Sequence, residues 1–508
     1  MAQGVLPFHY EAEKTGSGMT ALAGLPLYLE LLHVAGVLEA LRQEVQVAGE
    51  QGWDDVQVVQ ALLLLHLAGG EAVDDLQTLE ADPGFGAVLR QVESYGLPRR
   101  LRRALTARWR KQRTRAVPSP SAVFRYLARF QPAEEELAQQ GQAAIPAPTP
   151  GLRGLYRVNR AFLAWVQRCR PQALATLDVD ATVIATAKRD ALYSYEHTKA
   201  YQPFTVYWAE PGLVLHSEFR DGNVPAGYQQ LRVLREALAM LPEGVQHVRL
   251  RSDTAGYEHP LLQYCAEGTH PRFGVIEFAV GVDVTRAFKD AVAEVAPGDW
   301  RRLQRVDQGG REHETEQEWA EVCFVPEWTA RKKDGPVYRF LAVREPLRQR
   351  ALPGLEPETH QLPFPTITLE EQRYKLHGVV TNRLDLVGEA VIRWLRERCG
   401  KGEEVHKVLK EDLAGGVLPS GQFGPNAAWW AITVLAHNLH VAAQHLLLEV
   451  RWQGKRLKAV RFGLIGLPGR VVHHARGLWI RLSQGHPALA VLLGARQRLR
   501  TLPRGSPG

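Results

Sequence analysis

Four acidic residues stand where a hard cation and a phosphodiester could be brought together. Asp178 and Asp180 are two apart in ATLDVDAT, so on an extended strand both side chains leave one face while Leu177 and Val179 leave the other. Asp253 closes the run VRLRSD, where strand character stops, and strand ends in α/β folds are common ligand sites. Glu403 lies in GKGEEVHKVLKED, and a helix there would carry Lys407 and Lys410 beside it at i+4 and i+7. In-line attack at an already anionic phosphorus is served by two cations about 3.5–4 Å apart, one activating the attacking oxygen and one stabilising the leaving oxygen. Magnesium-like ions take carboxylate oxygens and keep several waters, so three carboxylates from separate elements suffice. Each acid taken singly has another reading. Asp178 could be a polar residue on a half-exposed strand, Asp253 a turn or cap residue, and Glu403 an exposed helix acid paired with Lys407; spacing alone does not choose.

The elements that must position these acids follow from periodicity. ATLDVDAT, FTVYWAE and LVLHSEFR read as strands, the last two separated by the turn residues Glu210, Pro211 and Gly212. Then come a helix over LRVLREALAML, a strand over VQHVRLRSD, a helix around PLLQYCAE and a strand over FGVIEFAVGVDV. The expectation is a multidomain α/β protein with a mixed sheet flanked by helices. Residues 286–370 read as a β-rich insertion, with strands over VCFVPEW and VYRFLAVRE. Helices resume near Leu384, ending in a long apolar and aromatic one around NAAWWAITVLAHNLHVAAQHLLL, in which Trp429 and Trp430 read as packing residues. Residues 20–90 are helical by spacing, and Pro146, Pro148 and Pro150 mark a stiff linker. The chain thus divides into a helical, basic N-terminal region (1–150), a core in two parts (151–285 and 371–450), the insertion (286–370) and a basic C-terminal tail (451–508), to which His473 and His474 belong.

Charge points to an anionic partner. The 508 residues carry a formal net charge of +7, and nine Arg and Lys fall between Arg99 and Arg115, with no acid from Ser94 to Ala133. Such a one-sided run repels itself unless an anion faces it. Arg99, Arg100, Arg102, Arg103, Arg108, Arg110, Lys111 and Arg113 are therefore expected to grip DNA backbone; a solvated, charged helix is the other reading. Arg220 and Asn223, in EFRDGN, either contact phosphate or brace the sheet. The cysteines, Cys169, Cys265, Cys323 and Cys399, have neither metal-ligand spacing nor a disulfide framework, which suits a reducing compartment. Residues 1–16 lack the pattern of a secretion signal, and Val58–Ala68 is too short to span a bilayer. A soluble, cytoplasmic protein without membrane contact is expected.

Taken together, LDVDAT, EFRDGN, LRSDTAGY, GEEVHKVLKED and NAAWWAITVLAHNL resemble the DDE transposases of bacterial insertion sequences, in particular the insertion sequence 1380 family. AGGEAVDDLQTLEADPGF and PSPSAVFRYLARF resemble that family's N-terminal region, so the likeness runs from about residue 20 to 490. The resemblance implies an RNase H-like catalytic core interrupted by a β-rich insertion, with Asp180, Asp253 and Glu403 holding Mg2+, for which Mn2+ can substitute. It also implies metal-dependent cleavage of double-stranded DNA at terminal inverted repeats, joining of the 3′-OH ends to target DNA, and a homodimer that brings two ends together. Glu404 is the rival third acid, but the residue seven after it is Glu411, which is not basic. Related enzymes carry Tyr seven and Arg four before the glutamate; here those positions hold Arg396 and Cys399, with Arg398 one residue off register. In related enzymes an aromatic residue of the insertion can hold a flipped base, and Trp300, Trp319 and Trp328 are the candidates here, with core packing as the alternative. A metal-dependent nuclease without strand transfer and a non-catalytic DNA-binding descendant are the competing functions.

Overall fold

The computed structural model describes residues 18–111, 114–137, 139–306, 311–330, 336–347, 362–474 and 477–505. The alternating run around the first two aspartates forms strand β1 (Leu174–Ala181). It lies inside a mixed sheet with β2 (Phe204–Trp208), β3 (Leu213–Glu218), β4 (His247–Ser252) and β5 (Glu277–Val282). The order is β3-β2-β1-β4-β5. β1, β4 and β5 run parallel, and β2 and β3 are antiparallel to their neighbours. Parallel neighbours need a crossover: the chain returns from β3, at the edge, to β4, beside β1, through the helix α1 (Gln230–Met240), and crosses from β4 to β5 through a helix over His259–Glu267.

The strands after residue 286 do not make a separate sheet. β6 (Arg301–Val306), β7 (Glu312–Val322), β8 (Arg339–Pro346), β9 (Thr366–Leu369) and β10 (Gln372–Thr381) continue the same one, because β10 pairs antiparallel with β5 through Thr381↔Ala279 to Gly378↔Val282. The strand expected over VCFVPEW is displaced. β7 ends at Val322, and Glu327–Ala330 forms a short helix just after Pro326, which has no N–H to give to a ladder. Trp319 on β7 is 3% exposed and packs against the face of Gly388, so it belongs to the core. Trp300 lies 3.9 Å beneath the Arg344 guanidinium, and Trp328 stacks on His259 at 4.4 Å.

Helix α2 (Gly388–Arg396) leads through a short turn to α3 (Lys401–Lys407), which continues as a wider turn over Val408–Asp412. The apolar run around the paired tryptophans is helix α4 (Phe423–Leu446). Trp429 and Trp430 are fully buried in it, and the Trp430 Nε1–H donates to Ser217 Oγ (2.8 Å). Asn438 of α4 accepts from the Val214 N–H and donates to the Val214 carbonyl, both at 2.8 Å. That amide caps edge strand β3, whose backbone groups would otherwise lie buried and unpaired.

The C-terminal residues are not a tail. Strands Gly469–His474 and Gly477–Arg481 join Met19–Thr20 in a three-stranded antiparallel sheet. Helix Pro487–Thr501 packs on Pro26–Val34, with Arg496 bonded to Glu30 (2.6 and 2.8 Å). Among the described residues no single helix is long and apolar enough to cross a membrane.

Candidate active site at the ends of two parallel strands

The pairing of β1 with β4 sets the site. Its register runs from Leu174↔His247 to Val179↔Ser252, a constant offset of 73 residues (247 − 174; 252 − 179). Asp180 and Asp253 have the same offset (253 − 180 = 73), so they stand directly after the last paired rung, at the C-terminal ends of adjacent parallel strands. On the rung two residues earlier, Asp178 faces Arg251.

That earlier rung is a closed ion pair. Arg251 donates from Nε to Asp178 Oδ1 (2.6 Å) and from Nη2 to Oδ2 (2.9 Å). Its Nη1 donates to the Trp394 carbonyl (2.8 Å) and to Glu397 (2.9 Å). Asp178 is 3% exposed and Arg251 2%. Burial pushes the Asp178 carboxyl up against the pull of Arg251; burial also works against the Arg251 charge, but its bonds to Asp178 and Glu397 outweigh this and hold the guanidinium above its ordinary pKa. Asp178 is thus fully engaged, not half-exposed. The pair ties the end of α2 to the sheet, one turn before the segment that carries Glu403. Arg251 was legible only as the other member of the alternation Arg249, Arg251, Asp253, and nothing in the sequence named its partner.

Asp180 is different. Its side chain is 30% exposed, its Oδ1 accepts from the Ala181 N–H (2.9 Å), and Arg398 Nη2 approaches its Oδ2 at 3.5 Å. Burial first, then the charges of Asp253 and Glu403, push its carboxyl up to about 6 against Arg398 and the Ala181 N–H. A Cβ on Gly402 would lie 3.8 Å from Asp180 Oδ2, so the start of α3 runs directly over this aspartate. Glu403 and Glu404 are both exposed, but they act on different rungs. Glu403 is the one whose charge acts on Asp180, whereas Glu404 acts on Tyr207, which pairs with Asp178. Asp253 is exposed and its Oδ1 accepts from the Ala255 N–H (3.1 Å), so it also caps a short turn.

Three oxygen-bearing acids around one corner, with a single guanidinium opposing them at Asp180, are a donor set suited to a hard divalent cation. Among the described residues, no three His, Cys, Asp or Glu side chains are close enough to hold one ion, so ligation by all three requires these side chains to come closer together. Lys410 Nζ donates to the Val183 carbonyl (3.3 Å), just beyond β1, and Lys407 is exposed. His406, just before Lys407 in sequence, is buried, and burial with the charges of Lys410 and Arg398 pushes its imidazole down to about 4.

The remaining expected contacts divide. Arg99, Arg100, Arg102, Arg103 and Arg108 lie exposed on the helix Arg99–Lys111 and make no ion pair among the described residues. The side chains of Arg110 and Lys111, and all of Arg113, lie outside the described residues. For Arg220 the structure replaces phosphate contact with bracing: it is 1% exposed, donates from Nε to Glu218 (2.7 Å) and lies 4.6 Å over the Phe204 ring. Asn223 likewise donates to the carbonyls of Gln139 (2.8 Å) and Gln142 (3.0 Å), tying a loop to the sheet.

No relative matches among the curated proteins. Among solved structures, a piggyBac transposase in a synaptic complex with hairpin DNA is similar with a TM-score of 0.42 and 10% identity, over 97% of this chain and 89% of that chain, a likeness too distant to carry an argument. The family described as Transposase DDE domain group 1 matches residues 8–341 and 365–504, which include both aspartates, the glutamate and nearly the whole chain, and this protein belongs to that family of DDE transposases.

Proposed function

We propose that this transposase binds the ends of a bacterial insertion sequence, of the 1380 family, cleaves them, and joins the freed 3′-OH ends to target DNA. One observation carries the reading: Asp180 and Asp253 directly follow the last paired rung, Val179↔Ser252, of two parallel strands, and the charge of Glu403 on α3 acts on Asp180. The strand order β3-β2-β1-β4-β5, with β1, β4 and β5 parallel, supports an RNase H-like core. Asp180, Asp253 and Glu403 would hold Mg2+, or Mn2+ in its place, and the bound ions would supply Lewis-acid stabilisation of the attacking and leaving oxygens.

The chain's own residues supply geometry and charge. The sheet fixes Asp180 and Asp253, because their strands are hydrogen-bonded neighbours. Glu403 sits on a helix joined to α2 by a turn and is the movable member. Lys407 and Lys410 put positive charge one and two turns further on, where DNA phosphates would pass. The exposed arginines of Arg99–Lys111 grip backbone away from the chemistry, and two copies of the chain would bring two ends together. The reaction takes place at the nucleoid in the cytoplasm.

Asp253→Asn tests this. The amide keeps the side-chain shape but removes the charge a hard cation prefers. Binding to the element's ends should stay near wild type, while cleavage and strand transfer in magnesium fall together. Normal cleavage by folded Asp253→Asn would reject the site. Loss of joining with cleavage intact would move Asp253 to target capture.

A further inference from the structure

Two arginines reach the acidic face of the sheet, and they are held very differently. Arg251 is 2% exposed and makes four bonds of 2.6–2.9 Å to Asp178, Trp394 and Glu397. The Arg398 guanidinium approaches Asp180 Oδ2 at 3.5 Å and the Val179 carbonyl at 3.4 Å, with no shorter side-chain polar contact among the described residues. It lies in the turn between α2 and α3. Two residues on, Gly400 adopts φ +85°, and a Cβ there would meet nothing within 4 Å, so the turn has room to rearrange.

We propose that Arg398 is a displaceable counter-ion that occupies the acidic corner in the free protein and must leave Asp180 before a divalent cation can be held there. This rests on the reading of Asp180, Asp253 and Glu403 as the cation site. A guanidinium held against the same carboxylate weakens its hold on a dication, because a +1 and a +2 charge about 4 Å apart repel strongly at any interior dielectric. The arrangement with Arg398 in place is also the one in which no three described acids stand at ligating distance. Arg398 and Glu403 lie on the same short stretch, and Gly402 already runs within 3.8 Å of Asp180 by its would-be Cβ. Departure of Arg398 and approach of Glu403 are therefore one movement of the turn. The tightly bonded Arg251 explains why Asp178, on the same face, offers no such site: its counter-ion has nowhere to go.

The test is Mn2+ binding to the full-length protein without DNA, followed by the loss of the free-ion paramagnetic resonance signal. Wild type, Arg398→Gln, Arg398→Lys and the double variant Asp180→Asn/Arg398→Gln are compared. Arg398→Gln should bind Mn2+ at least about tenfold more tightly than wild type. Arg398→Lys keeps the charge and should stay close to wild type, which separates the charge effect from repacking of the turn. The double variant should lose the gain. Equal affinity in wild type and Arg398→Gln, with binding lost in the double variant, would overturn the counter-ion role while leaving the site in place. No Mn2+ binding by Arg398→Gln would overturn it as well. A gain that persists in the double variant would place the ion away from Asp180 and remove both the site and this inference.

Discussion

Asparagine at Asp178 and asparagine at Asp180 should shift stability in opposite directions, although the two residues are neighbours on one face of one strand. Asp178 and Arg251 are 3% and 2% exposed and joined by bonds of 2.6 and 2.9 Å. Removing one partner of such a buried pair costs about 3–5 kcal/mol, because the other charge stays buried and uncompensated. The amide oxygen can still accept one bond, so the cost of Asp178→Asn should fall near the lower end, about 3 kcal/mol. Asp180 sits among like charges, and its carboxyl is pushed from 3.8 to about 6. A raised acid pKa means the folded protein holds the proton more tightly than the unfolded chain, so the ionised group opposes folding above that pKa. Two units correspond to roughly 3 kcal/mol. The side chain is 30% exposed, so solvent screening reduces this to a gain of about 1 kcal/mol for Asp180→Asn near pH 7.5 without metal. Urea denaturation midpoints in chelator measure both, and cleavage assays on the same preparations complete the contrast. Folded Asp178→Asn should retain cleavage, whereas Asp180→Asn should lose it. If Asp180→Asn destabilises as much as Asp178→Asn, the charge environment described for this rung is wrong.

Further expectations concern the scaffold and the DNA grip. Asp221 is 3% exposed, and burial, helped by Asp190, pushes its carboxyl up to about 7 against the N–H groups of Leu192 and Gly222. Its contribution to stability should therefore decline as pH rises from about 4 to about 7, on the order of 2–4 kcal/mol, and Asp221→Asn should flatten that part of a stability–pH curve. Replacing Arg99, Arg100, Arg102 and Arg103 with glutamine should weaken binding to all DNA sequences and reduce the salt slope by up to about 3–4, near 0.9 per lost phosphate contact; an unchanged slope would return this helix to a merely solvated role. A Cβ at Gly388 would meet Trp319 at 2.3 Å and Leu341 at 3.0 Å, so Gly388→Ala should cost about 1–3 kcal/mol in thermal or urea melts and slow cleavage by displacing α2, with DNA binding retained.

What the sequence made legible followed the range of the interactions involved. Period-two alternation correctly put Asp178 and Asp180 on one face, and local patterns located β1 to β5, α1 and α4 within a few residues. Which aspartate was free could not be read, because it depends on β1 pairing in parallel with β4, 73 residues away, where Arg251 meets Asp178. The choice between phosphate contact and bracing for Arg220 was open for the same reason: its charge is visible in EFRDGN, but its burial against Glu218 and Phe204 is not. The strands after residue 286 were recognised as strands. Their continuation of the central sheet rests on β10 joining β5, a contact about 100 residues apart that composition does not encode. The C-terminal region was read as a tail from its basic charge, yet Val471, Val491, Ala495 and Leu499 are buried. Val491, Ala495 and Leu499 recur at i, i+4 and i+8, the spacing of a core-facing helical stripe, which the segment's basic charge masked.

The central claim, that Asp180, Asp253 and Glu403 hold the cation that cuts DNA, is tested most directly by changing the ligand atom. Cysteine at each position, one at a time, replaces a hard carboxylate with a softer thiolate that magnesium accepts poorly and manganese accepts better. Cleavage of the element's ends by Asp180→Cys, Asp253→Cys and Glu403→Cys should be lost in magnesium and regained in part in manganese, while Asp178→Cys should show no such dependence on the ion. Full cleavage in magnesium by any of the first three would contradict the assignment of that residue as a ligand.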